Sequence, residues 1–342
     1  MDQVMREADE HNRIMIVHDD SLIQTLSRFD RETLLNMAET LPCEGLEDLT
    51  NLDDVIACIR KTLLTSDVMY HRLGLLSDRD MAVFNQIADG AIELEFTNDN
   101  LFATGRIDEI GYIVLTLRDL VYVADDVIEA YRHLRREDFP VFRKHAAWYH
   151  ACLTFARHVY GVMTTSQMLD LYNNREDVNI VWDDLHILDR YLPDDFRCYE
   201  IKDETYYFRQ YKDYLMMANA VSRKPICLPS ATEVTDVYNY GYPYNEACWR
   251  KLRNHLIHSY GMVPYDADVF LAMVWKDEVG PDNDRDVFHH YADNMITDEN
   301  DRRVLTDLWR DMHMHTRQFV LHGQKPIELF VQHDENVKKI KM

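Results

Sequence analysis

The chain has 342 residues, 46% hydrophobic and 28% charged, enough for two or three domains with full cores. Sixty Asp and Glu against 37 Lys and Arg give a formal charge of −23, which argues against direct nucleic-acid binding because phosphate neutralisation needs a basic surface. Only ten Gly and nine Pro exclude collagen-like and low-complexity classes and favour long helices with few hard stops.

Residues 1–12 are acidic and polar and lack the basic and apolar regions of a secretory signal, so a cytoplasmic location is expected. No apolar run approaches the ~20 residues of a spanning helix, so no membrane partner is expected. The cysteines at 43, 58, 152, 198, 227 and 248 are scattered without a CxxC pair, which predicts reduced thiols rather than a zinc site or a disulfide framework. Acidic charge is densest at the start: residues 1–60 hold 14 acidic and 5 basic side chains, against 31 and 24 in residues 141–342.

In 30–41, Leu34, Ala38 and Leu41 share a helical face behind a capping Asp30. Thr50 with Asp53 forms a capping-box pattern ahead of Leu52, Val55, Ile56, Ile59 and Leu63, which predicts a second helix. Ser77 with Asp80 repeats that pattern before Met81, Phe84 and Ile87. After a helix near 100–110, GYIVLTLRDLVYVADD predicts strand, a turn through Arg118 and Asp119, strand, and a new helix from Asp125. Helices followed by a small hairpin predict a winged-helix-like module.

Beyond Pro140, Trp148, Cys152, Phe155 and Val159 mark a helix ended by Gly161. Another helix begins near Thr165, and Leu185, Leu188 and Leu192 mark the next, stopped by Pro193. FRCYEI and TYYF flank a polar turn and predict a hairpin near 196–208. Trp249, Leu252, Leu256 and Tyr260 share a stripe, and further helices are predicted at 264–275, 284–294 and 298–322. The expected fold is mainly α: a multi-domain helical protein with a small winged-helix-like module and one or two short β-hairpins. The expected divisions are 1–74, 75–138 and 139–342.

The stretches LSRFDRETLLNMAETL, LLSDRDMAVFNQIADG, VYGVMTTSQMLDLYNN, KPICLPSATEV and HMHTRQFVLHGQKPIEL resemble a family of bacterial and phage helical proteins. Their start is similar to the Rho termination factor N-terminal fold, and many carry a SEC-C metal-binding tail. Residues 331–342, VQHDENVKKIKM, lack the cysteines of that tail, so the resemblance carries no metal site here. It implies architecture, since each matched stretch is a cap, turn or packing pattern rather than a catalytic motif. A Rho-like or winged-helix start implies nucleic acid, yet the helix after Ser77 sets Asp78, Asp80 and Asp89 against Arg79 alone, and the next sets Asp108 and Glu109 against Arg106. A shape used for packing or protein contact is expected instead.

Pro193, Asp194, Glu200, Ile201 and Lys202 fit a PD…ExK nuclease pattern, in which Asp194 and Glu200 would hold magnesium and Lys202 would polarise water. The pattern needs a core sheet, whereas an isolated hairpin is predicted. The histidine pairs 255/258, 289/290 and 313/315 lack a third ligand, so no metal and no cofactor is expected. GxSxG, GxxxxGK[ST], GxGxxG and HExxH are missing. Tyr238, Tyr240, Tyr242 and Tyr244 flank Gly241 and Pro243, a turn that packs on neighbours or serves as a contact surface.

The leading functional expectation is a non-catalytic interaction protein whose acidic surface blocks a basic nucleic-acid-binding enzyme, as DNA-mimic and anti-CRISPR inhibitors do. Its contact residues would be Asp19, Asp20, Glu44, Glu47 and Asp48, with Tyr240, Tyr242 and Tyr244. The alternatives are an adaptor or scaffold working through the tyrosines, and a magnesium nuclease.

Overall fold

The first helices follow from their caps. Asp30 accepts the Thr33 N–H at 2.8 Å and starts α2, Arg31–Thr40, after the short α1, Leu22–Leu26. α3, Leu52–Leu63, is capped by Asn51, which accepts the Asp54 N–H at 2.8 Å, one residue later than the predicted Thr50. α4, Ser66–Gly74, precedes α5, Asp78–Ala88, where both halves of the predicted capping box form: Asp80 N–H donates to the Ser77 hydroxyl, and Ser77 N–H donates to the Asp80 carboxylate. The structure is a computed structural model and describes residues 21–45, 51–90, 92–93, 98–115, 120–134, 137–210, 215–281, 287–293, 295–296 and 298–330.

The chain is mainly helical with short β elements, and it divides into two compact units. The first comprises residues 1–95, 103–147 and 190–197; the second comprises 96–102, 148–189 and 198–342. The segment 190–197, grouped from the sequence with the C-terminal helices, thus counts with the first unit.

In the first unit, β1 (Ile92–Glu93), β2 (Val114–Leu115) and β3 (Leu120–Tyr122) make an antiparallel sheet of order β1-β3-β2, with Ile92 opposite Val121 and Val114 opposite Tyr122. β2 and β3 are the predicted hairpin; its turn, with Arg118 and Asp119, lies outside the described residues. β1 escaped prediction because two residues show no alternation. α6, Asn98–Glu109, and α7, Asp125–His133, are the further helices of this unit beside its small sheet. Ile59, Leu73, Phe84, Ile107, Val121 and Val127 are sealed from solvent in one core, each burial contributing roughly 1.5–3 kcal/mol.

α8, Phe139–Val159, enters the second unit at residue 148. Its predicted stripe, Trp148, Cys152, Phe155 and Val159, is buried. Next come β4 (Val162–Thr164), α9 (Thr165–Asn173), α10 (Trp182–Tyr191) and the predicted hairpin, β5 (Tyr199–Lys202) with β6 (Thr205–Phe208). β6 is central, between β4 and β5. The two-residue turn holds Asp203 and Glu204 at φ +48° and +57°, the left-handed pair that matches strand twist. Glu204 also caps α9, its carbonyl accepting the Thr165 N–H at 2.8 Å.

The remaining helices of the second unit are α11 (Leu215–Val221), α12 (Ala231–Tyr240), α13 (Ala247–Tyr260), α14 (Pro264–Val279), α15 (Val287–Ala292) and α16 (Glu299–His315). α13 buries Trp249, Leu252 and Leu256 of its predicted stripe, while Tyr260 is half-buried with its hydroxyl donating to Asp301 at 2.8 Å. α16 stops at His315 instead of running to 322, because Thr316 turns extended and Arg317 is drawn inward. The Arg317 Nε donates to Glu233 at 3.0 Å, and its Nη1 donates to the Gly323 carbonyl at 2.7 Å. The stretches KPICLPSATEV and HMHTRQFVLHGQKPIEL therefore meet at a buried ion pair, which gives them a structural purpose.

Candidate interaction surface

Of the two helices in which the sequence reading sought a nucleic-acid-binding face, α5 and α6, the second has one cation in its sequence, Arg106. Arg106 Nε donates to Asp80 Oδ2 at 2.9 Å, and a terminal nitrogen donates to the other oxygen of a carboxylate that is 0% exposed. The guanidinium is thereby committed to α5 and presents no fork to a phosphate.

Three other arginines of the first unit follow the same pattern. Arg60 Nε donates to Asp126 at 2.7 Å, and Asp126 also accepts the Leu22 N–H at 3.1 Å, tying α1 and α3 to α7. Buried Arg72 makes a two-pronged pair with Asp195 at 3.0 and 2.7 Å and donates to the Ile110 carbonyl at 2.9 Å. Arg143 pairs with Asp78. While these cations fasten the unit internally, Glu32, Glu39, Glu44, Asp53, Asp89 and Glu129 stand exposed. Asp30 stays ionised below the usual carboxylate range because the Thr33 backbone N–H and then its hydroxyl favour the charged form.

Of the sequence-predicted acidic contacts, Glu44 is exposed, and Asp19, Asp20, Glu47 and Asp48 lie outside the described residues. The tyrosine series separates into two environments. Tyr240 and Tyr244 are half-buried and stack at 4.2 Å with 20° between planes, and Arg253 lies 5.4 Å over the Tyr244 ring. Tyr242 is a correction: it is 0% exposed, its hydroxyl donates to buried Asp268, and its ring lies against Trp249. Asp268 also takes a two-pronged bond from Arg253 at 2.6 and 2.8 Å, so Tyr242 belongs to the core and cannot reach a partner. Gly241, at φ +78°, is required where a Cβ would meet that of Ala272 at 2.7 Å.

The PD…ExK residues are dispersed. Asp194, in a single helical turn of the first unit, pairs with Arg197 at 3.1 Å. Glu200 and Lys202 lie two residues apart on the outer strand β5 of the second unit and pair with each other at 2.8 Å, both exposed. The histidines take separate partners: His255 meets Ser259, His289 meets Asp293, His313 meets Glu278, and His315 meets the Asp311 carbonyl. Among the described residues, no group of three or more His, Cys, Asp and Glu side chains is placed to hold a metal ion. Among them, too, no helix is long and apolar enough to cross a membrane.

The inward commitment of the arginines was beyond sequence reasoning, because Arg106–Asp80 and Arg72–Asp195 join residues 26 and 123 positions apart. Comparison of the chain with protein-family models, curated proteins and solved structures finds no match.

Proposed function

We propose that this chain acts by protein contact, presenting the carboxylates of its first unit to the basic surface of a nucleic-acid-handling partner. The observation that carries the reading is the internal pairing of Arg60, Arg72, Arg106 and Arg143, which draws four cations inward while Glu32, Glu39, Glu44, Asp53, Asp89 and Glu129 stand exposed. A winged-helix-like unit whose α6 arginine is fastened to a buried aspartate repels phosphate and attracts Lys- and Arg-rich surfaces. The formal charge of −23 adds long-range steering.

The test is capture from host extract at low salt, followed by salt elution and comparison with Asp19→Lys, Asp20→Lys, Glu44→Lys and Glu47→Lys combined. The expected result is a basic nucleic-acid-binding partner that elutes as salt rises and associates with the variant at least about tenfold more slowly. Salt-indifferent capture, or an unchanged association rate, overturns the reading. The half-buried Tyr240–Tyr244 stack favours a second reading, an adaptor with an aromatic contact. In that case capture survives the lysine variant and is lost in Tyr240→Ala/Tyr244→Ala.

A further inference from the structure

Within the second unit, α16 carries Arg302, Thr306, Trp309, Arg310 and His313 at helical spacing, one stripe along its length. The stripe forms a wall of a cleft of about 630 Å³, closed by Glu278 of α14, Phe288 and His289 of α15, and Gln318. Two guanidinium groups and two imidazoles thus gather around one concavity in a strongly acidic chain.

The cleft has a built floor. Glu278 is 3% exposed and accepts the Trp309 indole N–H at 2.8 Å on one oxygen. The His313 Nδ1 lies 2.8 Å from the other. A carboxylate removed from water requires a compensating cation, and its hydrogen bond makes His313 more basic than an ordinary histidine. With Nδ1 committed to Glu278, Nε2 faces the Gln318 side-chain amide nitrogen at 3.3 Å, and an anion seated beside the pair can accept from both. Arg302 and Arg310 make long, exposed pairs with Asp293 at 3.4 Å and Asp307 at 3.3 Å. His289 also faces Asp293, at 2.8 Å. Exposed pairs of this kind are worth less than about 1 kcal/mol and yield readily to a stronger anion.

We propose that this cleft binds a small phosphate ester, its anionic head between Arg310 and His313 and its organic body against Phe288. Arg310 and His313 are one turn apart on α16 and supply a planar fork beside a single N–H. A phosphate ester's three terminal oxygens, spread in a tripod, can meet the fork and the further N–H at once, and its second negative charge suits a site with more than one cationic group. Arg302, about 12 Å back along the helix, strengthens the field without touching the head. Phe288 packs edge to face on Trp309 at 5.5 Å, which extends the apolar wall.

Calorimetric titration of the full chain with phenyl phosphate, inorganic phosphate and sulfate tests the proposal. Saturable binding is expected, tightest for phenyl phosphate, weakened about tenfold by Arg310→Gln and less by Arg302→Gln. Sulfate keeps its charge across the range where histidine titrates, so its affinity should fall as pH rises through the His313 titration, and His313→Gln should remove that dependence. A nitrogen-detected shift of the His313 Nε2 on adding phenyl phosphate to the unsubstituted chain gives a readout independent of variant folding. Absence of saturable binding at millimolar ligand, a silent His313 resonance, or affinities unchanged in a folded Arg310→Gln protein overturns the proposal.

Discussion

Removing the Arg106 guanidinium while keeping its stem, as in Arg106→Met, should destabilise the first unit by about 3 kcal/mol. The two-pronged bond to Asp80 disappears, and a carboxylate that is 0% exposed is left without its cation. Breaking such a buried pair from one side costs about 3–5 kcal/mol. The lower end applies because the Ser77 hydroxyl at 2.7 Å and backbone N–H at 3.1 Å still donate to Asp80. Asp80→Asn keeps the shape and should cost about 2 kcal/mol, leaving a nearly buried guanidinium beside a neutral amide. The double variant should cost at least about 1.5 kcal/mol less than the sum, since neither charge is then stranded. Amide exchange at Phe84 and Ile107, both in the first unit's core, reports the opening energy of that core. A loss below about 1 kcal/mol in Arg106→Met, or strict additivity in the double variant, would refute the view that this pair fastens α5 to α6. If the fastened arginine takes no part in contact, Arg106→Met should also leave the partner association rate unchanged.

Glu204→Gly should stabilise the second unit by about 0.5 kcal/mol in urea unfolding, because glycine relieves the left-handed φ of +57° while costing some chain entropy. Gly323→Ala should cost at least about 2 kcal/mol, since φ is +81° and the added Cβ would run into the Tyr160 ring and lie 2.7 Å from the Cys227 carbonyl oxygen. Gly45→Ala, at φ +71° with nothing within 4 Å, should cost about half as much, and equal losses would discredit the packing argument. Burial holds His158 neutral, its pKa lowered from 6.5 to about 3, so the folded state binds fewer protons than the unfolded one between those values. Stability of the second unit should therefore decline as pH falls below 6.5, and His158→Gln should flatten that decline. For His313 the sign reverses: its stabilising charge is present below 6.5 and is lost as pH climbs through the raised value, an alkaline limb that His313→Gln should erase.

Helix positions were legible in the chain because caps and stripes are local. Asp30, Ser77 with Asp80, and the Trp249–Leu252–Leu256 stripe each lie within one or two turns. Strands were half legible. The hairpins showed as adjacent β-rich runs, whereas β1 and β4 join their sheets from a distance, as in Ile92 opposite Val121 and Thr164 opposite Thr205. The tyrosine series misled because residue type signals contact potential and not direction: the turn at Gly241 sends Tyr242 inward to Asp268 and leaves Tyr240 and Tyr244 partly out. The cleft was hidden for a similar reason. The sequence sets His313 two residues from His315, while its chemistry depends on Glu278, 35 positions away on another helix.

Net charge and local charge also give different answers in this chain. A formal −23 describes the field at distances beyond the Debye length of ~8 Å only in attenuated form, and within that length the nearest side chains decide what a ligand meets. In the first unit four arginines are drawn into internal pairs while six carboxylates, Glu32 and Glu129 among them, stand exposed, which is the surface the proposed partner would meet. In the second, Arg302, Arg310 and His313 line a concavity whose buried Glu278 is already matched, and the proposed anion would compete there with Asp293 and Asp307 for the arginines. The two proposals consequently share a sensitivity to salt but not to substitution. Lysines at Asp19, Asp20, Glu44 and Glu47 should slow partner association and leave phenyl phosphate affinity within about twofold, because the cleft residues belong to the other unit. Arg310→Gln should do the reverse. If each variant impaired both activities equally, both would be reporting the overall charge of the molecule, and neither surface would be the site assigned to it.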